Sequence, residues 1–364
     1  MSTKLLICDD SNLARKQVAR SLPNGWDVDI SFACNGIEGI SAIKQGKGDV
    51  VLLDLNMPVM DGYQVLEDIM KNDLPAIVIV ISGDIQPEAH KRVTGLGALD
   101  FIQKPINTHK LTQVLKQYGL LANFIPPSTQ SVPEKISNSL PKKLTTKDLS
   151  QIIEMDVDLN KDNTHTALTS DMRDCYQELA NVAMGRAGDL LARLLNVFVV
   201  LPIPNVNFLE VSELSMALSA VQQNSTTSGI CQGFIGAGIS GEALLILSDS
   251  SLKDVAALMN YQDEIDKTCD LELLMDLSNL LISACLNGIS EQLDMRFSQA
   301  HPVVLGQHLK IPELIATNAP KWKKTLAIEI SYDIENHNIK CDLLLLFTED
   351  SIATLNNKIS YLMD

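Results

Sequence analysis

The chain has no Cys-x-x-Cys pair, no grouping of histidines and no uninterrupted apolar run long enough to span a membrane. Its seven cysteines (Cys8, Cys34, Cys175, Cys231, Cys269, Cys285, Cys341) are odd in number and scattered. That excludes a disulfide framework or a zinc site and suits reduced core thiols in the cytoplasm. The longest apolar stretch, residues 190–206, is broken by Arg193, Asn196 and two prolines, so no membrane span is expected. No secretory leader is expected either, because Asp9 and Asp10 follow the first apolar residues at once. Positive charge is scarce in the second part of the chain. Residues 1–147 hold 16 Lys+Arg against 15 Asp+Glu, whereas residues 148–364 hold 13 against 30. An acidic module of that kind repels a phosphate backbone, so no nucleic-acid partner is expected.

What is present points to a globular protein of more than one domain. At 364 residues, 46% hydrophobic and 20% charged, the chain exceeds one ordinary core. Over residues 4–118, short β-rich runs at Lys4–Cys8, Val28–Ala33, Val50–Leu53, Ala76–Ile81 and Asp100–Gln103 alternate with amphipathic segments. Five such units predict an α/β domain over 1–121: a doubly wound, five-stranded parallel sheet with its ligand site at the C-terminal strand ends. Residues 122–147 collect Pro126, Pro127, Pro133 and Pro141 among Ser, Thr and Lys, which reads as a linker. The rest, 148–364, reads as two copies of one unit, about 166–262 and 263–364. Each copy has a long helix, a strand region, a β-hairpin and a closing helix. A pseudo-symmetric α/β domain is expected, its hairpins joined in one antiparallel sheet.

Two constellations carry the chemistry. Asp9 and Asp10 end the first strand, Asp54 the third, Ser82 the fourth and Lys104 the fifth, so all five converge on one sheet edge. Three carboxylates that close need a cation, most simply Mg2+. Asp54 is then placed as a nucleophile, with Ser82 and Lys104 to hold phosphoryl oxygens. The second constellation is an acid-x3-acid-x2-Asn pattern with a proline 23 residues after the Asn. It occurs as Asp174, Glu178, Asn181, Pro204 and again, displaced by 98, as Glu272, Asp276, Asn279, Pro302. An acid and an Asn three apart share a helix face, where the amide can orient a water molecule. Gly185 and Gly188 fall on the same face of the first helix and would let a partner's backbone approach. Leu179, Val182, Ala183, Leu190, Leu191 and Leu194 form the expected buried stripe.

Residues 1–121 resemble a response-regulator receiver domain of the CheY type, on Asp9-Asp10, Asp54-Leu55-Asn56-Met57-Pro58, Asp61-Gly62, Ser82 and Lys104-Pro105. The resemblance implies Asp54 as phosphoacceptor for a sensor histidine kinase. It implies Asp10, Asp54 and the Asn56 carbonyl as Mg2+ ligands, Asp9 acting through water, and Phe101 as the switch aromatic. The duplicated acid–Asn pattern resembles the CheC/CheX/FliY family of CheY-phosphate phosphatases. That resemblance implies hydrolysis of phosphoaspartate on a CheY-like receiver, with Glu178 docking on the receiver lysine and Asn181 orienting the attacking water. The second copy departs from it: Asp276 is one methylene shorter than Glu, so Asn279 has the weaker support. The target is open. A linker of roughly 25 residues spans about 25–30 Å as a coil and lets the domain reach its own Asp54. A separate receiver is favoured, because self-discharge wastes the switch. The rival reading is a non-catalytic interaction module, or a phosphate sink, that uses the acid–Asn faces for docking. Asp156–Asp162 lacks the residues that complete a calcium loop, and Trp322-Lys323-Lys324 is too small for a nucleic-acid surface.

Overall fold

The computed structural model describes residues 2–121, 168–209, 226–259, 267–309 and 325–363. The segment 122–147, Asp156–Asp162 and Trp322–Lys324 lie outside the described residues.

The first domain runs β1 (Thr3–Cys8), α1 (Asn12–Arg20), β2 (Val28–Ala33), α2 (Gly36–Lys44), β3 (Val50–Leu53), α3 (Gly62–Lys71), β4 (Ile77–Ser82), α4 (Pro87–Gly95), β5 (Asp100–Gln103) and α5 (Thr108–Gln117). Its sheet has the order β2-β1-β3-β4-β5, and every pairing is parallel. Helices cover both faces, so the central strands read as continuous apolar runs; all four residues of β3 are buried. Polar caps fix where the helices begin. Ser11 accepts from the Ala14 amide at the start of α1, and Asp61 with Gln64 forms a capping box on α3. Because β1 pairs with β3, the loops after them lie beside each other.

The second domain opens with α6 (Ser170–Leu195). It continues through β6 (Val199–Val200), β7 (Asn205–Leu209), β8 (Thr227–Gly236), β9 (Ile239–Ser248), α7 (Asp249–Leu258), α8 (Lys267–Gln292), β10 (Ser298–Gln299), β11 (Val303–Leu309), β12 (Thr325–Ile334), β13 (Lys340–Thr348) and α9 (Glu349–Met363). The two hairpins, β8–β9 and β12–β13, join edge to edge through β9 and β13. The first hairpin turns on Ala237 and Gly238, both at positive φ, which a two-residue turn of right-handed twist requires. The copies also interlock: β6 and β7 of the first pair with β12 of the second, and β10 and β11 of the second pair with β8 of the first. Neither copy therefore completes its sheet alone. Helices α6 and α8 lie together over this sheet and share its core with Ile230, Leu245, Ile328 and Leu345. Over Asp270–Gln292, α8 is long and apolar enough to cross a membrane, yet 67% of its most apolar window is buried, as expected of a core helix.

Two details differ from the sequence expectation. Leu190 and Leu194 are exposed (44% and 40%) rather than part of the buried stripe, because they lie on the side of α6 turned from the core, while Leu191 and Leu195 take the buried side. Gly188 meets Leu201 of its own domain, not a partner's backbone; a Cβ there would lie 2.8 Å from the Leu201 Cδ2.

Candidate phosphoryl site at the domain junction

The strand ends of the first domain gather Asp9, Asp54, Ser82 and Lys104, all buried, with Asp10 half-buried at the rim. Asp9 accepts from the Ser11 amide (2.9 Å), and Asp54 accepts from the Asn56 amide (3.1 Å), so each turn locks its carboxylate. Ser82 accepts from the Asp84 amide at 3.1 Å. The Lys104 ammonium stands 2.8 Å from Asp9 and 3.2 Å from Asp54. Phe101 is half-buried, its ring tilted against that of His90 at 5.6 Å.

The face of α6 predicted from the acid–Asn spacing closes over this edge. Glu178 Oε1 lies 3.2 Å from Lys104 Nζ, and the Asn56 side-chain amide donates to Asn181 Oδ1 at 3.1 Å. Asp174 accepts from the Leu13 backbone amide at 2.8 Å and so caps the first turn of α1 from the other domain. Leu13 itself enters the core of the second domain. The acid–Asn face therefore lies against the carboxylate edge of this chain's own first domain. Burial of Glu178 (8% exposed) and Asn181 (6%) comes from this docking. By contrast, Asp276 and Asn279 are exposed on α8, and no element of the first domain covers them among the described residues.

Further from the carboxylates, Gln86 makes a two-way bond with the Val199 backbone (2.7 and 2.9 Å). Arg92 pairs with Glu335 (2.8 Å) and lies over the Phe198 ring at 3.9 Å. The sequence gives no sign of these contacts, nor of the bridging role of the Asn56 side chain, because each joins residues more than a hundred positions apart.

Electrostatics make the cluster hungry for positive charge. Burial alone would lower the Lys104 pKa, but Asp54, Asp9 and Glu178 outweigh it and hold the ammonium well above its ordinary value. Burial pushes Asp54 and Glu178 up, and the neighbouring carboxylates add to this against the pull of Lys104. Asp10 is pushed up to about 7, first by burial and then by Asp9 and Asp54. One ammonium thus faces four carboxyl groups. Asp54 Oδ1 also lacks any hydrogen bond of acceptable geometry, although Lys104 lies 3.2 Å away.

Asp9, Asp10 and Asp54 can bring oxygens within 4.8 Å of one another, an all-oxygen donor set of the kind in which receiver domains bind Mg2+. These residues fit the ion. Mg2+ should stabilise the folded chain by about 2.7 kcal/mol at a hundredfold excess over Kd and so raise its unfolding midpoint. Asp10→Asn should lose most of that gain in a thermal melt. Equal gains in both proteins would remove Asp10 from the ligand set.

Residues 5–116 match the family model described as response regulator receiver domain. The N-terminal domain is a CheY-like receiver. Among curated relatives, the chain is 40% identical over 103 residues to protein-glutamate methylesterase/protein-glutamine glutaminase 3 of Geobacter sulfurreducens, covering 28% of each chain. It is 36% identical over 118 residues to the probable C4-dicarboxylate response regulator DctR of Priestia megaterium, covering 32% of this chain and 51% of that one. The chain thus spans well under two thirds of these relatives. Among solved structures, FliY of Thermotoga maritima is 16% identical, with 53% of this chain and 98% of that chain covered at a TM-score of 0.39.

Proposed function

We propose that the chain is a response regulator whose C-terminal domain, residues 148–364, hydrolyses the acyl phosphate formed on Asp54 of its own receiver. The observation that carries this reading is the use of the acid–Asn face. Glu178 is spent on Lys104 (3.2 Å) and Asn181 on Asn56 (3.1 Å), both beside the phosphoacceptor.

In the reaction, the oxygen of one water attacks phosphorus opposite the Asp54 oxygen. The P–O bond to Asp54 breaks, the carboxylate is regained and inorganic phosphate leaves. Little covalent chemistry is asked of the protein, so placing the water is the main contribution. The Asn181 carbonyl has two lone pairs, one for Asn56 and one for a hydrogen of that water. A small cavity of about 10 Å³ bounded by Asp10, Asn56, Glu178 and Asn181 gives room on the scale of a single water. Lys104 and the Ser82 hydroxyl hold phosphoryl oxygens, and Glu178 keeps Lys104 oriented toward the junction. Mg2+ held by Asp10, Asp54 and the Asn56 carbonyl, with Asp9 through water, would neutralise the phosphoryl charge. Phe101 would follow Ser82 inward on phosphorylation, which links occupancy of Asp54 to the fit of the docked domains.

The test uses the full chain, phosphorylated with acetyl phosphate and freed of donor. Asn181→Ala should slow loss of acid-labile phosphate by on the order of 10²-fold. The wild-type rate constant should be unaffected by dilution, as an intramolecular reaction requires. A rate proportional to chain concentration would move the target to a separate receiver. Equal decay in wild type and Asn181→Ala would leave docking alone as the role of this face.

A further inference from the structure

The two long helices carry the same polar pattern, but they differ at the point where the receiver comes nearest. A Cβ added at Gly185 of α6 would stand 1.9 Å from the Gly83 carbonyl oxygen and 2.5 Å from its carbonyl carbon. Both are backbone atoms, so no side-chain rotation relieves the clash. From the other side, a Cβ at Gly83 would lie 3.2 Å from the Asn181 carbonyl oxygen and 3.3 Å from the Val182 Cα. The two main chains therefore touch through a pair of glycines, one turn along α6 from Asn181 and directly after Ser82. At position 185 no such approach is open to a residue with a side chain.

The displacement of 98 that carries Asn181 to Asn279 carries Gly185 to Ser283. Ser283 has a Cβ, and its hydroxyl donates to Gln299 Oε1 at 2.8 Å, which ties the side chain to β10 of the same domain. A receiver set on α8 in the pose seen on α6 would drive the loop after its β4 into that Cβ. The pattern of exposure agrees: Glu178 and Asn181 are covered, whereas Asp276 and Asn279 are open.

Resting on the phosphatase reading, we propose that Gly185 is a specificity-determining residue that admits a receiver to the α6 face, and that Ser283 bars the α8 face to the same docking. The chain then has one phosphatase face, not two. The receivers that fit it are those with glycine, or at most a very small residue, after the hydroxyl-bearing residue of β4. Gly185 forbids any side chain outright. Gly83 is graded, since a methyl there asks its neighbours to give by only a few tenths of an ångström.

The experiment uses the full chain, charged with acetyl phosphate, with two readouts: decay of acid-labile phosphate, and hydrogen exchange of the backbone amides of residues 82–86. Gly185→Ser copies the second face onto the first, and Gly185→Ala adds the Cβ alone. Either change favours helix over glycine, so circular dichroism should show α6 intact. Both should speed exchange at 82–86 and slow decay by on the order of 10²-fold, to the level of Asn181→Ala. Adding Asn279→Ala to Asn181→Ala should remove no further activity. Wild-type exchange and decay in Gly185→Ser would overturn the proposal, as would a residual decay in Asn181→Ala that Asn279→Ala abolishes. If wild type and Asn181→Ala decay alike, the hydrolase reading fails, and the exchange data on Gly185→Ser still decide whether the glycine pair governs docking.

Discussion

Lys104→Met should cost about 3–5 kcal/mol of stability at pH 7.5, the usual penalty for leaving buried charge without its partner. The residue is 3% exposed and stands within 3.2 Å of Asp9, Asp54 and Glu178, so among the described residues its ammonium is the single positive charge inside the cluster. With methionine in its place, these carboxyls either stay ionised against one another or take up protons. Both routes cost free energy at neutral pH, and protonation limits the total. The loss divides between the two domains: the Asp9 and Asp54 part weakens the receiver itself, and the Glu178 part weakens docking. A double-mutant cycle separates them. Glu178→Gln removes the charge that remains at the junction, so in the Lys104→Met background it should be much less harmful than in wild type, or even favourable. Denaturant unfolding of the four proteins gives the coupling energy. Strict additivity would mean that the Lys104–Glu178 contact contributes nothing to holding the domains together.

Asp84→Asn should stabilise the chain at pH 7.5 and lose that advantage in acid. Asp84 is 3% exposed, in the loop that touches α6, and its carboxylate accepts from the Gln86 amide at 3.0 Å. Burial pushes its pKa up to about 6; the bonds from Gln86 oppose this, and Asp189 on α6 adds to it. The raised folded-state value means the native chain holds this proton more tightly than the unfolded chain does. The contribution is complete below the unfolded value of 3.8 and is lost as pH rises through about 6. Above that pH the ionised Asp84 is a cost, on the order of 3 kcal/mol, since one pKa unit corresponds to about 1.4 kcal/mol. Asn keeps the acceptor for Gln86 without the charge. The measurement is the difference in unfolding midpoint between variant and wild type from pH 7.5 down to 4. A difference that did not shrink over that range would assign the effect to packing, not to the carboxylate.

Much of the receiver site could be read from its residues. Asp9, Asp10, Asp54, Ser82 and Lys104 each follow or end a strand, and in a parallel sheet those ends meet on one edge whatever the details of packing. The acid–Asn face was legible for a similar reason, since residues 174, 178, 181 and 185 share one side of any helix that contains them. The fate of that side was not. The helical period placed Leu190 and Leu194 with the buried stripe, yet both are exposed, because the core meets this end of α6 through Leu191 and Leu195 instead. The interlocking of the copies, with β7 on β12 and β11 on β8, was equally hidden. The repeat shows two similar units and says nothing of which hairpin each strand will join.

By itself the sequence determined an N-terminal parallel sheet with an acidic edge and a second, repeated unit with two polar helix faces. These follow from local periodicity and from the order of elements along the chain. Only the tertiary structure decided that one face closes on the chain's own Asp54 while the other stays open. That choice rests on contacts such as Arg92 with Glu335, Gln86 with Val199 and Gly83 against Gly185. Each depends on the relative pose of two bodies, a quantity that no spacing along either of them encodes.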